Sequence, residues 1–171
     1  IGLDKKISLI VSVYNEQDGL RLFYTTAKKE MDKLIEAKPE YSYELIFVND
    51  GSTDKSPEIM MRLKNDAPDN VKLIMLSRNF GHEAAMTAGL DYAEGDYLIL
   101  MDADLQHPPA SIPMIMEMFE DGHDIISMVR TKNEGSSAAG SFASAVFYKI
   151  INRISDANIT PAASDFFAID K

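Results

Sequence analysis

The chain contains no cysteine and no tryptophan. Lack of cysteine removes disulfides, a thiolate nucleophile and cysteine-ligated zinc together, so a disulfide-stapled scaffold and a zinc ribbon are both excluded. Cations are scarce as well: 17 Lys+Arg face 27 Asp+Glu, a formal net charge of −10. That balance argues against binding nucleic acid through a general basic surface, and a polyanionic ligand has to be met by local chemistry. No run approaches the roughly 20 apolar residues of a bilayer span, and no basic segment leads into an apolar signal core. The three histidines, His82, His107 and His123, are too dispersed for a local metal motif and are read as structural.

What the chain does have is enough apolar material for one cored domain: 46% of 171 residues. Ile7 to Val13 is β-branched and apolar at nearly every position, the pattern of a strand buried on both faces of a parallel sheet. Helical spacing follows from Asp18 to Ile35, with Leu22, Phe23, Ala27, Met31, Leu34 and Ile35 expected on one side. Further strands are expected at Glu44 to Val48, Val71 to Leu76, Tyr97 to Met101 and Asp124 to Val129. Helices are expected from Pro57 to about Asn65, from His82 to Ala93, and from Pro108-Pro109 to Glu120. A Gly/Ser/Ala-rich loop, Thr131 to Gly140, precedes a helix of mixed character from Ser141 to Ile154. Alternating strand and helix imply right-handed crossovers, a mostly parallel sheet flanked by helices, and ligands at the carboxyl ends of the strands.

The polar residues gather at those ends. Tyr14-Asn15-Glu16 follows the first strand, Asn49-Asp50-Gly51-Ser52 the second, Ser77-Arg78-Asn79 the third, Asp102-Ala103-Asp104 the fourth and Arg130 the fifth. In a doubly wound sheet all of them reach one edge, which favours a nucleotide pocket. Glu16 and Asp50 can accept hydrogen bonds from a base or ribose, and Gly51 allows close backbone approach to a ligand. Arg130 can clamp phosphates bidentately. Asp102 and Asp104 crowd two carboxylates at a strand end, where a hard cation such as Mg²⁺ or Mn²⁺ would relieve repulsion and leave positions open for substrate phosphates. Plainer roles stay open for each. The acidic pair can cap the next helix, Asp50 can form an Asx-turn, Glu16 can favour the first turn of a helix, and Arg130 can be a solvated cation.

Five segments in this order carry a family resemblance: Val11-Ser12-Val13-Tyr14-Asn15-Glu16, Phe47 to Asp54, Ser77 to His82, Met101 to Pro109 and Phe147 to Arg153. Across Ile7 to Lys171 the chain resembles glycosyltransferase family 2, with its Rossmann-like GT-A fold. Within that family it resembles the polyprenyl-phosphate branch of dolichol-phosphate mannose synthases and bactoprenol glucosyltransferases. The resemblance implies an inverting, metal-dependent transferase that uses Mg²⁺ or Mn²⁺. Its donor would be a nucleoside-diphosphate sugar, UDP-sugar favoured, and its acceptor a polyprenyl phosphate in cell-envelope assembly. Tyr14, Glu16, Asn49, Asp50, Gly51, Asp102 and Gln106 would contact the sugar nucleotide. Asp102 and Asp104 would serve the metal, Asp104 and Arg130 the departing diphosphate, and Asp165 the acceptor side. Relatives often carry arginine directly after the Asp-Phe pair where this chain has Phe167, which weakens the acceptor assignment.

Residues 1–171 are therefore expected to form a single catalytic GT-A domain of a longer protein that continues after Lys171 into membrane helices and acts at the cytoplasmic face, with homo-oligomers as a possible assembly. Lys149 and Arg153 on the last helix are candidates for guiding a lipid phosphate at the membrane surface. Transfer to a soluble acceptor and a non-catalytic sugar-nucleotide module are the competing readings. Haloacid-dehalogenase-like phosphatases place their Asp-x-Asp pair after the first strand and fit less well; receiver domains carry their acids and lysine at other strand ends.

Overall fold

The computed structural model describes residues 5–104, 108–129 and 163–170, with the side chains of all but 128–129 and 163–166. The order of elements is β1 (Lys5–Val13), α1 (Leu20–Ala37), β2 (Tyr41–Asn49), α2 (Ser56–Asp66), β3 (Val71–Met75), α3 (His82–Tyr92), β4 (Tyr97–Asp102), a 3-10 turn (Pro109–Ser111), α4 (Ile112–Glu120), β5 (Ile125–Val129) and β6 (Ala163–Asp170). The strands form one sheet in the order β3-β2-β1-β4-β6-β5. β1 pairs in parallel with β2 and β4, and β2 with β3, whereas β6 runs antiparallel to β4. The parallel pairings are those that the alternation of strand and helix implies; the antiparallel β6 is an addition to them.

Burial explains the strands. Ile10, Ile46, Val48, Leu98 and Leu100 form an apolar cluster with Ala85 and Met86 of α3. Their neighbours Leu9, Val11, Leu45, Phe47, Ile99 and Met101 are equally buried, and the pleat turns those to the other face. Strands buried on both sides read as unbroken apolar runs, which is why they are visible in the sequence. α3 lies close on the sheet because Gly89 has no side chain: a Cβ there would stand 2.3 Å from Ile10 Cγ2. On α1, the buried residues are Leu20, Phe23, Ala27, Met31 and Leu34. Leu22, expected inward, is exposed.

Four expectations change. α1 begins at Leu20 rather than Asp18, β2 begins at Tyr41 rather than Glu44, and the helix after Pro108 opens as a 3-10 turn before α4. β6 was not expected; Ala163 to Asp170 mixes polar and apolar residues too irregularly to announce a strand. Its Phe167 sits beside Leu100 and packs with Ile169 against the cluster under α3. By proximity of Cα atoms the chain divides into Ile1–Ile126 with Phe166–Lys171, and Ser127–Asp165. The second unit is described only at the ends of β5 and β6. Among the described residues no helix is long and apolar enough to cross a membrane.

Candidate functional site

Strand register decides which loops can meet. Val13 lies beside Asn49, Asn49 beside Met75, and Ser12 beside Asp102, so β1, β2, β3 and β4 end level with one another. The segments that follow them, starting at Tyr14, Asp50, Leu76 and Ala103, leave from a single edge. This is the edge at which open α/β sheets bind ligands.

The first two loops are laced together. Asn15 adopts a left-handed backbone, φ 55°, which its short polar side chain tolerates. Its Oδ1 accepts from the Thr53 N–H at 2.8 Å, while its own N–H donates to Ser52 Oγ at 3.0 Å. The Glu16 N–H donates to Ser56 Oγ at 2.9 Å and the Gln17 N–H to Asp54 Oδ2 at 3.0 Å. The Lys55 N–H returns a bond to Gln17 Oε1 at 3.1 Å. Asp54 also accepts from Ser56 N–H at 2.9 Å. Burial opposes its ionisation, but these bonds hold its carboxyl below the usual range. The lacing fixes the backbone from which Glu16 projects. Asn15 and Asp54 were visible only as members of the Tyr14-Asn15-Glu16 and Phe47 to Asp54 segments, and Ser56 was not singled out.

Asp50 and Gly51 have turned inward. Asp50 is 2% exposed, and its two carboxylate oxygens accept from the Phe80 N–H at 2.7 Å and the Gly81 N–H at 3.0 Å. Gly51, with φ +68°, is pressed against backbone: a Cβ would lie 2.3 Å from the Arg78 carbonyl carbon and 2.4 Å from Asn79 N. The close approach expected here for a ligand is made by the chain itself. Asn49 is likewise buried, and its Oδ1 accepts from Ser52 N–H at 3.1 Å. Tyr14 is exposed beside this turn. On the third loop the Arg78 guanidinium stacks 4.7 Å from the centre of the half-exposed Phe80 ring.

Glu16 and the Asp-Ala-Asp turn belong together. A Cβ on Gly19, at the start of α1, would lie 3.6 Å from the Ala103 carbonyl and 4.0 Å from Glu16 Oε2. Burial, then Asp104, then Asp102 and Asp54 push the Glu16 carboxyl above its ordinary value. Asp102 Oδ1 stands 3.1 Å from His82 Nδ1. Among the described residues, no three His, Asp or Glu side chains are arranged to enclose a metal ion. A pair of carboxylates at a strand end nevertheless matches the way Mg²⁺ is commonly held, through one or two carboxylates with substrate phosphates and waters completing the shell. Gln106, His107, Arg130, the 131–140 loop and the 141–154 helix with Lys149 and Arg153 lie outside the described residues. Asp165 falls in β6, its side chain beyond what is described.

A family model described as glycosyl transferase family 2 matches residues 8–171. The glycosyltransferase YkcC of Bacillus subtilis is 40% identical over 96% of this chain and 49% of its own length. The undecaprenyl-phosphate 4-deoxy-4-formamido-L-arabinose transferase of Yersinia pestis is 37% identical over 77% of this chain and 39% of its own. The chain thus spans about half the length, or less, of such curated relatives. Among solved structures, the mannosyltransferase PcManGT of Pyrobaculum calidifontis, in complex with GDP-Man and Mn²⁺, has a TM-score of 0.64 at 19% identity, over 97% of this chain and 44% of that one. Glucosyl-3-phosphoglycerate synthase of Mycobacterium tuberculosis, with Mn²⁺, UDP-glucose and phosphoglyceric acid, has a TM-score of 0.60 at 18% identity, over 97% and 57%. Their likeness establishes the GT-A fold.

Proposed function

Because the chain belongs to glycosyl transferase family 2, we propose that it moves one sugar from a nucleoside diphosphate, UDP favoured, to the phosphate of a polyprenol, releasing the nucleoside diphosphate. One observation carries the proposal: β1 and β4 end level, and the loop after β1 sets Glu16 near the Asp102-Ala103-Asp104 turn, where its carboxyl is pushed up by burial and by both acids. A carboxyl pushed up by neighbouring acids sits in a negative potential that a cation would relieve. The polyprenol is supported by the undecaprenyl-phosphate transferase among the relatives, and the metal and sugar nucleotide by the complexes of the two structural neighbours.

In this reading Asp104 and Asp102 supply the protein ligands, with Glu16 beside them and Tyr14 at the nucleoside. A divalent cation held there would neutralise the diphosphate as it departs. The acceptor phosphate is anionic near neutral pH and needs little help from a base, so orientation carries more of the rate than proton removal. A single displacement inverts the anomeric carbon. Asp50, Asn49 and Gly51 serve the nucleotide by holding the loops around it. Arg130 and Gln106 are assigned to the diphosphate and the sugar, and Asp165 to the acceptor. The chain acts as one catalytic domain, anchored at the cytoplasmic face of a membrane by the remainder of a longer protein.

The test is transfer from labelled UDP- and GDP-sugars to a short polyprenyl phosphate, with and without Mn²⁺, followed by extraction into organic solvent. Metal-dependent label in the organic phase is expected. Label that stays with an aqueous glycan acceptor would replace the lipid reading, and nucleotide binding without turnover by the full-length protein would replace the enzyme.

A further inference from the structure

The two acids of the Asp102-Ala103-Asp104 turn are not equivalent, because β4 alternates between the faces of the sheet. Leu98 and Leu100 belong to the apolar cluster under α3, so Asp102, next in that alternation, faces α3 as well. There it meets His82, the first residue of α3, with Nδ1 at 3.1 Å from Oδ1. An ionised carboxylate only accepts, so Nδ1 carries the proton and donates. His82 is itself placed from below: it follows Gly81, whose φ is 100°, and the Phe80 and Gly81 N–H groups are anchored on buried Asp50. Asp104, beyond the last strand residue, is the foremost charged influence on Glu16.

We propose that His82 is a positioning residue: it orients the Asp102 carboxylate toward the divalent cation and donor diphosphate, at the end of a relay that starts on buried Asp50. This rests on the cation reading of the acidic turn given above. A ligating carboxylate held by an outer hydrogen bond loses rotational freedom before it binds, and removal of such an outer partner typically costs about 10–100-fold in metal affinity or activity. The histidine read as structural in the sequence thereby gains a task in the site.

The experiment titrates Mn²⁺ into the full chain by its EPR signal, once with UDP and once with GDP present, for wild type, His82→Ala and His82→Asn, with circular dichroism to check folding. His82→Ala should weaken Mn²⁺ binding about tenfold or more, and His82→Asn should recover most of it, because its amide N–H sits at the same δ position as Nδ1–H. In Asp102→Ala, the further change His82→Ala should cost almost nothing, since His82 acts through Asp102. If His82→Ala does not fold, His82→Gln carries the comparison with His82→Asn; its donor lies one bond further out and should leave Mn²⁺ binding weak. Mn²⁺ affinity in the folded alanine or glutamine variant equal to that of wild type, or tighter, overturns the role of His82. No Mn²⁺ binding by wild type with either nucleotide removes the cation reading itself and this inference with it.

Discussion

Acids stand at both ends of the same parallel strands, and the two ends treat them in opposite ways. At the amino end, Glu44 is 1% exposed. Its Oε1 accepts from Ser8 Oγ at 2.6 Å and from the Glu94 N–H at 2.9 Å. Oε2 lacks a well-directed hydrogen bond but has two ammonium groups, Lys6 and Lys72 Nζ, each at 2.9 Å. The Glu94 carboxylate reaches the same two lysines. Burial opposes ionisation of Glu44, yet Lys72, Ser8, Lys6 and the Glu94 backbone hold its carboxyl down to about 2. At the carboxyl end, Glu16 moves the other way, raised by burial and by Asp104, Asp102 and Asp54. A buried acid therefore does not mark a site by itself. An acid matched by the fold's own cations holds the fold together, whereas an acid pushed up by its acidic neighbours sits in a negative potential that a charge from outside would relieve.

The largest contrast should come from Asp104→Asn. If the carboxyl end is built for a cation, transfer falls at least about a hundredfold, the scale of losing one aligned electrostatic group. Thermal unfolding without metal should change far less than transfer does, because the substitution also removes a charge that repels Glu16. An Asp104→Asn chain that transfers normally, or that unfolds much earlier, would make the two ends alike. Glu44→Gln should do the reverse: about 2 kcal/mol of stability lost, with the half-exposed lysines screened by water and limiting the cost, and turnover of the folded fraction unchanged.

The pH dependence carries opposite signs at the two ends. Glu44 ionises at about 2 in the fold against 4.5 ordinarily, so its stabilisation is complete above about pH 4.5 and is lost as pH falls toward 2. Glu16 is raised above 4.5. Below that pH both states are protonated and it contributes nothing; as pH rises past 4.5 the unfolded chain ionises first and stability declines. Glu16→Gln should therefore stabilise the metal-free chain at pH 7 by less than about 1 kcal/mol, a rise of up to roughly 4 °C in Tm. With Mn²⁺ and UDP present that gain should shrink or reverse. Differential scanning calorimetry at pH 3 and pH 7 reads both, and a Glu16→Gln variant that is less stable at pH 7 would contradict the raised carboxyl.

Much of the carboxyl end was legible because its signals are local. Tyr97 to Met101 is a continuous apolar run with Asp102-Ala103-Asp104 at its end, and Glu16 follows the β-branched Ile7 to Val13 directly. What local sequence could not separate was Glu16 from Asp50. Both are acids after strands, but the two N–H groups that bind Asp50 come from Phe80 and Gly81, distant in the chain. Gly51 shows the same limit: its need for a missing Cβ comes from the Arg78–Asn79 backbone. The amino-end cluster escaped notice altogether. Lys6, Glu44, Lys72 and Glu94 look like ordinary surface charges until parallel register lines up β1, β2 and β3. β6 escaped because Ser164 and Asp165 interrupt the apolar alternation, although Phe167 completes the cluster under α3.

The smallest expected effect tests how fully the amino end is neutralised. Lys72 and Lys6 both lie 2.9 Å from Glu44 Oε2, with side chains 35% and 29% exposed. Either ammonium alone leaves the buried carboxylate one partner, along with Ser8 and the Glu94 N–H. Lys72→Ala should then cost only about 0.5–1 kcal/mol, the range of a partly solvated pair, and less at high salt. Urea unfolding at low and high ionic strength measures it. A loss above about 2 kcal/mol would mean that Glu44 depends on Lys72 and that Lys6 does not compensate. Removal of both lysines should make the amino end resemble the carboxyl end, with the Glu44 carboxyl climbing and its acid-dependent stabilisation shrinking. Glu44 would then sit buried beside Glu94 with no lysine to match it, and the electrostatic contrast between the two ends would be largely gone.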